Sequence, residues 1–248
     1  MRKFLNWKRI LLFIVIVLAL AVSGFVVWAN NPLAPMPEAL TALESDQSVE
    51  VSIENGWYIF RPLAAQPTTG FIFYPGGRVD ARAYAPQVRA IAEQGYLSVI
   101  TPMPLNLAIF GLNQAADVVK AFPDIQYWAV GGHSLGGAMA ARFVQSNPTA
   151  VQGLVFWASY PDIDLSTFNI KAVSIFGTND AVAQGAGIQN SDKLLPADTP
   201  FVAIEGGNHS GFGWYGLQPG DNEATISRAD QMAQTVTATA DLLASLSK

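Results

Sequence analysis

The stretch YWAVGGHSLGGAMAARFVQ, residues 127–145, decides the fold. Its first part, residues 127–130, is a short apolar run typical of a buried strand, and residues 137–145 have the small and apolar composition of a packed helix. Between them, residues 132–136 read GHSLG and match the pattern G-x-S-x-G. The flanking glycines permit a tight strand-to-helix turn that exposes the serine. We therefore predict that Ser134 is a nucleophile.

Apolar runs and helical patterns alternate along the rest of the chain. A hairpin is predicted first, and the same patterns predict five further strands and three further helices. The predicted strands are Val49–Ile53, Trp57–Arg61, Gly70–Tyr74, Leu97–Thr101, Tyr127–Val130, Leu154–Ala158, Ala172–Phe176 and Phe201–Ile204, and the predicted helices outside the membrane segment are Ala83–Gln94, Gln114–Phe122, Gly137–Gln145 and Arg228–Leu246. This alternation predicts an α/β protein with a mostly parallel sheet and helices on both faces. In such a sheet, function lies at the carboxyl ends of the strands.

The N-terminal region has a different composition. Residues 10–28 carry no charge, and as a helix they would span about 28 Å, close to the thickness of a bilayer core. Basic residues precede this run, which favours a cytoplasmic N-terminus. We expect a cytoplasmic basic flank (1–9), a single transmembrane anchor (10–28), a linker (29–40) and an extracytoplasmic catalytic domain (41–248). The alternatives are a cleaved signal peptide, which would make the domain secreted, and a buried core helix.

Composition excludes several kinds of site and partner. The chain contains no cysteine, so disulfides, thiolate nucleophiles and cysteine metal sites are excluded. Its net charge is −5, and the four basic residues before Ile10 leave ten basic and nineteen acidic residues in the remainder, a net charge of −9. This balance argues against nucleic acid as a partner and disfavours adhesion to an anionic membrane surface.

A serine hydroxyl needs a general base to act as a nucleophile, and the chain contains only two histidines. His133 adjoins Ser134 on the turn, where neighbouring side chains point apart, so we interpret it as a packing or hydrogen-bonding residue. His209 follows the last predicted strand in the sequence GGNHSG. It therefore lies at the carboxyl edge of the sheet, and we predict that it is the base.

The base in turn needs an acid to orient it. Asp180 directly follows the predicted strand 172–176 and stands between the serine and the histidine in the chain, in the order Ser, Asp, His. Asp162 and Asp164 follow the preceding strand and are rival candidates. We favour Asp180.

An oxyanion formed at the serine needs backbone N–H donors. One is expected from Leu135, the residue after the nucleophile. The second is expected from the loop Pro75–Arg78, where glycines permit a close approach to the substrate. We assign it to Gly77, with Arg78 as the alternative.

Four segments carry a resemblance to a known family: FIFYPGGRVDARAY (71–84), GGHSLGGAMA (131–140), IFGTND (175–180) and GGNHSGFGWYG (206–216). From about Val49 to the end, the chain resembles the α/β-hydrolase superfamily, and most closely its compact bacterial, dienelactone-hydrolase-like members, sometimes called family 5. The resemblance implies the α/β-hydrolase fold and acyl-transfer chemistry, with Ser134, Asp180 and His209 at the triad positions. Two departures are clear: Pro75 replaces a histidine found in many esterases, and the nucleophile is not the cysteine of the dienelactone hydrolases proper.

These observations predict a serine hydrolase that cleaves a carboxylic ester, or a related acyl compound, through an acyl-enzyme on Ser134. The expected partners are a small-molecule acyl substrate and, through the N-terminal helix, a membrane, with no cofactor and no metal. A membrane-anchored acyltransferase and a non-catalytic binding module on a hydrolase scaffold are the alternatives.

The distance between two predicted strands also bears on the substrate site. Only residues 159–169 separate the strands on either side, so no cap domain is expected, and the site should be fairly open. Four aromatic residues near the site in sequence either line an apolar pocket or belong to the core, and the sequence does not decide between these. They are Trp157, Phe212, Trp214 and Tyr215.

Overall fold

An eight-stranded sheet forms the centre of the molecule. The computed structural model describes residues 7–183 and 185–247. In chain order the strands are β1 (Val49–Glu54), β2 (Trp57–Pro62), β3 (Thr69–Tyr74), β4 (Leu97–Ile100), β5 (Tyr127–His133), β6 (Gly153–Trp157), β7 (Lys171–Gly177) and β8 (Phe201–Ile204). Their order in the sheet is β1-β2-β4-β3-β5-β6-β7-β8.

The sheet is mostly parallel. β1 and β2 form an antiparallel hairpin, β2 pairs antiparallel with β4, and every other neighbouring pair is parallel. The hairpin turns at Asn55 and Gly56, which both have positive φ, the backbone that suits a tight two-residue turn between twisted strands. The predicted strands and the predicted fold class are confirmed.

Helices cover both faces of the sheet. In chain order they are α1 (Trp7–Ala29), α2 (Pro37–Thr41), α3 (Ala85–Ala92), α4 (Gln114–Ala121), α5 (Leu135–Ser146), α6 (Gly185–Asn190) and α7 (Arg228–Ser245). Buried side chains of α3 and α7 pack with Phe71 and Phe73 of β3 on one face, and those of α4 and α5 pack with Ile72 on the other. Successive residues of a strand point to opposite faces, so a strand buried on both faces is apolar throughout.

Most predicted bounds agree with the structure to within one or two residues, and two of the differences have a clear physical cause. The helix predicted from Ala83 begins as a 3₁₀ turn (Ala81–Tyr84) and becomes α-helical at Ala85, because Pro86 lacks an N–H group and fits only in a first turn. β5 continues beyond Val130 to His133, since its glycines pair with β3 on one side and β6 on the other.

No cap domain covers the carboxyl edge between β6 and β7. Residues 158–170, which join these strands, contain neither helix nor strand. This agrees with the expectation from the sequence.

α1 is long and apolar enough to cross a membrane, a property that it shares with signal sequences. The helix begins three residues before the predicted span, 10–28, and ends one residue after it. All of its side chains except that of Ala29 are exposed. Residues 1–6 of the predicted basic flank lie outside the described residues.

The segment after α1, predicted as a linker (29–40), packs on the domain. Leu33 donates its N–H to the Arg78 carbonyl at 2.8 Å and accepts from the Asp80 N–H at 3.0 Å, and Met36 donates to the Trp214 carbonyl at 2.7 Å. α2 then begins within this segment. We call residues 29–36 the docked segment, because its backbone is held against the loops that follow β3 and β8.

We predict that Thr239→Val destabilises the domain. The buried Trp157 indole donates a hydrogen bond to the Thr239 hydroxyl at 3.0 Å and so joins β6 to α7. Valine removes the acceptor and leaves a buried N–H group unpaired, which costs about 1–3 kcal/mol of unfolding free energy. The measurement is chemical unfolding of the full chain in detergent, followed by circular dichroism.

Thr237→Val is the matched control, since Thr237 lies on the exposed face of the same helix and makes the same kind of bond to the carbonyl four residues earlier. Equal unfolding free energies for the two variants would contradict the prediction.

Candidate active site

Ser134 occupies a sharp turn between β5 and α5. Its backbone adopts φ 50° and ψ −121°, a conformation that costs a residue other than glycine ~1–3 kcal/mol. The Ser134 N–H donates to the Trp157 carbonyl at 3.0 Å, which fixes the turn to the neighbouring strand. The serine side chain is partly exposed at the carboxyl edge of the sheet.

Glycines on both sides of the serine allow α5 to approach β3 closely. A Cβ on Gly132 would lie 2.5 Å from the Tyr74 carbonyl oxygen, and a Cβ on Gly136 would overlap the same oxygen. A larger residue at either position would push the first turn of α5 away from the end of β3. The G-x-S-x-G spacing is therefore a requirement of packing as well as of exposure.

The two predicted oxyanion donors lie next to each other. A Cβ on Gly77 would lie 3.2 Å from Cδ2 of Leu135. In the same loop the Gly76 N–H donates to the Tyr84 hydroxyl at 3.1 Å, and the Arg78 N–H donates to the Asn106 carbonyl at 2.7 Å. Among the described residues, the N–H groups of Gly77 and Leu135 have no acceptor. The geometry thus favours Gly77 over the alternative, Arg78.

His209 and Asp180 form a buried hydrogen-bonded pair. Nδ1 of His209 lies 2.8 Å from Oδ2 of Asp180, and the two side chains are 0% and 2% exposed. A carboxylate only accepts hydrogen bonds, so Nδ1 carries the proton and Nε2 of the neutral ring has a free lone pair. The other carboxylate oxygen accepts from the N–H groups of Val182 and Ala183, both at 2.8 Å, which fixes its orientation.

Nε2 of His209 is buried and has no hydrogen-bond partner among the described residues. No hydrogen bond joins it to the Ser134 hydroxyl, although both residues are described. The ring of His133, the residue before Ser134, lies 4.4 Å from the His209 ring between centroids. The imidazole of His209, the predicted base, is buried although no cap domain covers it, whereas the sequence predicts a fairly open site.

The rival carboxylates lie elsewhere. Asp162 forms a surface ion pair with Arg142, at 2.5 Å between the closest atoms, and Arg142 lowers the pKa of that carboxyl below its usual value. Asp164 is exposed and accepts from the Ser166 N–H at 2.9 Å. Neither is hydrogen-bonded to His209.

His133 is a buried polar residue of the core. Nδ1 of its ring lies 2.8 Å from the Tyr84 hydroxyl, which also accepts from the Gly76 N–H. The Tyr84 O–H therefore donates to His133. Burial, aided by the neighbouring His209, lowers the pKa of His133 well below its usual value and keeps the ring neutral. Tyr84, which no sequence pattern identifies, is thus hydrogen-bonded to both the loop after β3 and His133.

The four aromatic residues near the site are mostly core residues. Trp157 is fully buried between Phe73 and α7, so the interpretation that it lines an acyl pocket is wrong. Phe212 is also fully buried and stacks on His133 at 5.9 Å between ring centroids, and Tyr215 is 6% exposed. Trp214 is half-buried beside the Arg228 guanidinium.

Two charged residues that sequence reasoning missed hold the loop of His209. The Arg228 guanidinium donates to the carbonyls of Ser210, Gly213 and Gly216, and burial lowers the pKa of this side chain. Asp221 accepts from the Ser210 N–H at 2.8 Å and from its hydroxyl at 2.6 Å. The sequence offers no clear signal for them, because both lie in a polar stretch, residues 218–231, that carries other charges.

The residues at the site do not form a metal-binding set. Within residues 7–183 and 185–247, no group of three or more His, Asp or Glu side chains is arranged to hold a metal ion. The site offers instead a buried imidazole–carboxylate pair, a strained serine and two backbone donors. These are the groups that acyl transfer requires.

Solved structures with similar folds were found at low sequence identity. A predicted CIB-like hydrolase from Thermoplasma acidophilum is 15% identical, covers 79% of this chain and 100% of its own, and superposes with a TM-score of 0.57. An esterase domain from Rhodothermus marinus is 14% identical, with coverages of 78% and 96% and a TM-score of 0.58. A dienelactone hydrolase-like promiscuous phosphotriesterase from metagenomic libraries is 14% identical, with coverages of 81% and 99% and a TM-score of 0.58.

At these identities the likeness concerns the fold alone. No curated protein matches the sequence significantly. A family model does match it: the model described as the alpha/beta hydrolase family covers residues 70–233, which include β3 to β8, the elbow serine and the loop of His209. The chain therefore belongs to the alpha/beta hydrolase family.

Proposed function

We propose that the protein is a serine hydrolase that cleaves carboxylic esters, or related acyl compounds, through an acyl-enzyme on Ser134. The observation that carries the proposal is the buried hydrogen bond between His209 and Asp180 at the sheet edge where the elbow presents the serine. This arrangement leaves Nε2 of His209 as the one unpaired basic atom of the triad. The family match and the esterase name of one structural neighbour agree with this chemistry.

The reaction has two halves. Nε2 of His209 takes the hydroxyl proton as Ser134 Oγ attacks the carbonyl carbon, and the N–H groups of Leu135 and Gly77 stabilise the oxyanion. His209 then gives the proton to the leaving alcohol as the ester bond breaks. Water, deprotonated by His209, attacks the acyl-enzyme and releases the acid and the free serine.

We further propose that α1 remains attached as a single-pass membrane anchor, with the domain outside the cytoplasm. The basic residues before Ile10 support this orientation. Hydrogen bonds from Arg78 and Asn106 to the carbonyls of Trp28 and Ala29 support retention, because the end of the helix is part of the packed structure.

We expect Ser134→Ala and His209→Gln each to abolish labelling by a fluorophosphonate probe and to lower kcat for p-nitrophenyl acetate by ~10⁴-fold or more. The assay uses the full chain in detergent, since truncation before Glu38 would remove the contacts of Arg78. Ser166→Ala, at an exposed loop serine, is the matched control and retains both activities. A folded parent that neither labels nor turns over any ester would sink the proposal.

We expect Asp180→Asn to lower kcat by ~10³–10⁴-fold while Ser134 still reacts slowly with the probe, because the amide no longer holds the Nδ1–H tautomer. Asp162→Asn and Asp164→Asn are matched controls at the two rival carboxylates, and both should retain kcat. The measurement is steady-state hydrolysis of p-nitrophenyl acetate. A larger loss at Asp162 or Asp164 than at Asp180 would show that the acid has been misassigned.

A further inference from the structure

We propose that the carboxyl edge of the sheet lies against a lipid surface without net charge, and that the substrates are long-chain acyl esters held in that surface. This inference rests on the proposed function and on the retention of α1.

The ends of α1 carry tryptophans at a spacing that fits a bilayer. Trp7 and Trp28 are separated by 21 residues of helix, roughly 32 Å, against a hydrocarbon core of roughly 30 Å. Both side chains are exposed, and tryptophan prefers the membrane–water interface. Trp28 therefore marks the depth of the interface on the side of the domain.

Trp28 is in contact with the oxyanion loop. The Arg78 guanidinium lies 4.2 Å from the centroid of the Trp28 ring, its Nε donates to the Trp28 carbonyl at 3.0 Å, and its Nη2 donates to the Asn31 carbonyl at 2.7 Å. Gly77, the proposed oxyanion donor, is the residue before Arg78. The reacting centre is thus held one residue away from the side chain that binds the interfacial end of the anchor.

The loop after β4 makes a second contact between α1 and the loop that holds Gly77. Its residue Phe110 packs edge-on against Phe25 of α1, at 6.4 Å between ring centroids. Leu107, three residues before Phe110, lies beside Gly77. A Cβ built on Gly77 would be 3.6 Å from Cδ2 of Leu107. One short loop therefore has an apolar side chain at the anchor and another at the oxyanion site.

Exposed apolar side chains are concentrated at the same edge. Outside α1, eight large apolar residues are exposed among the described residues, and six of them lie next to loops at the carboxyl ends of the parallel strands. We call these six the apolar rim: Ile53, Ile109, Phe110, Tyr160, Val182 and Leu217. Of the other two, Leu40 lies in α2, and Leu63 lies at the opposite edge of the sheet. Exposed apolar groups gathered on one side of a domain are typical of a membrane or partner surface.

The net charge of the chain indicates which kind of lipid surface the apolar rim can contact. The chain after residue 9 carries ten basic and nineteen acidic residues, so an anionic surface would repel it. At the carboxyl edge, Arg78 is engaged with α1 and Arg142 with Asp162. The surface is therefore zwitterionic or neutral, and the ester is one whose head group has no net charge, such as an acylglycerol.

The absence of cysteine from the chain allows a clean labelling test. Single cysteines at Phe110 and Leu217 report on the rim, one at Leu18 in the middle of α1 reports on insertion, and one at Leu63 is the control at the opposite edge. Each full-length variant carries a bimane label and is reconstituted in phosphatidylcholine nanodiscs that contain doxyl-labelled lipid.

We expect the doxyl lipid to quench the labels at 18, 110 and 217 by about twofold or more and to leave the label at 63 unchanged, since quenching requires contact with lipid. If the label at 18 is quenched and those at 110 and 217 behave like that at 63, the rim does not face the lipid and the inference is overturned. An unquenched label at 18 overturns it as well, because α1 is then not inserted.

A second arm tests the substrate. The turnover of dioleoylglycerol in phosphatidylcholine nanodiscs is divided by that of p-nitrophenyl acetate in solution. We expect Ile109→Ser combined with Phe110→Ser to lower this ratio by about tenfold, because two apolar contacts with the lipid are lost, and Leu63→Ser to leave it unchanged.

The two proposals fail in different ways. Hydrolysis of the acetate without hydrolysis of the acylglycerol overturns the substrate class and leaves the serine hydrolase intact. No hydrolysis of either ester overturns the proposed function, while the quenching pattern still decides whether the rim faces lipid.

Discussion

The close approach of the first turn of α5 to the end of β3 is the constraint on which the site depends. The Tyr74 carbonyl occupies the space that side chains at positions 132 and 136 would need, so both positions are glycine. This contact fixes the strained turn at Ser134 and brings the first N–H of α5 beside the loop that follows β3. The strain, of order 1–3 kcal/mol, is offset by the strand pairing of β5 on both sides and by packing of α5 against the sheet.

Polar groups buried at the carboxyl edge are held in place by hydrogen bonds to one another. The Asn208 backbone is bonded in both directions by the Gln231 side chain, and Asp221 and Arg228 bind the residues that follow His209. In a medium of low dielectric, burying any of these polar groups without its hydrogen-bond partner would lower the stability of the fold. The loop of His209 is therefore held as a unit by α7 and by its own later residues, which keeps the imidazole aligned with Asp180.

Much of this could be predicted from the sequence, for reasons that are local. The strands are short apolar runs bounded by turn residues, and the order of Ser134, Asp180 and His209 follows from their positions after three of those strands. Trp157 shows where local reasoning fails, because a residue at the end of a strand points to either face, and only the pairing of β6 directs this indole towards α7. Tyr84 and Arg228 act through contacts with residues distant in sequence, so no short pattern predicts them. The prolines of the docked segment are typical of a flexible connection and predict a linker, whereas its N–H and C=O groups are hydrogen-bonded to the loops after β3 and β8.

The docked segment also bears on how the domain and its N-terminal helix can be separated. A protease needs several consecutive residues in an extended form without hydrogen bonds. In residues 29–36 the N–H groups of Leu33 and Met36 and the carbonyls of Ala29 and Asn31 are hydrogen-bonded to the domain. Cleavage there requires local unfolding of the loops beside the serine. Shedding of the domain from its helix is thus coupled to the integrity of the loop that holds Gly77, and a released domain would have lost the contacts that position this loop.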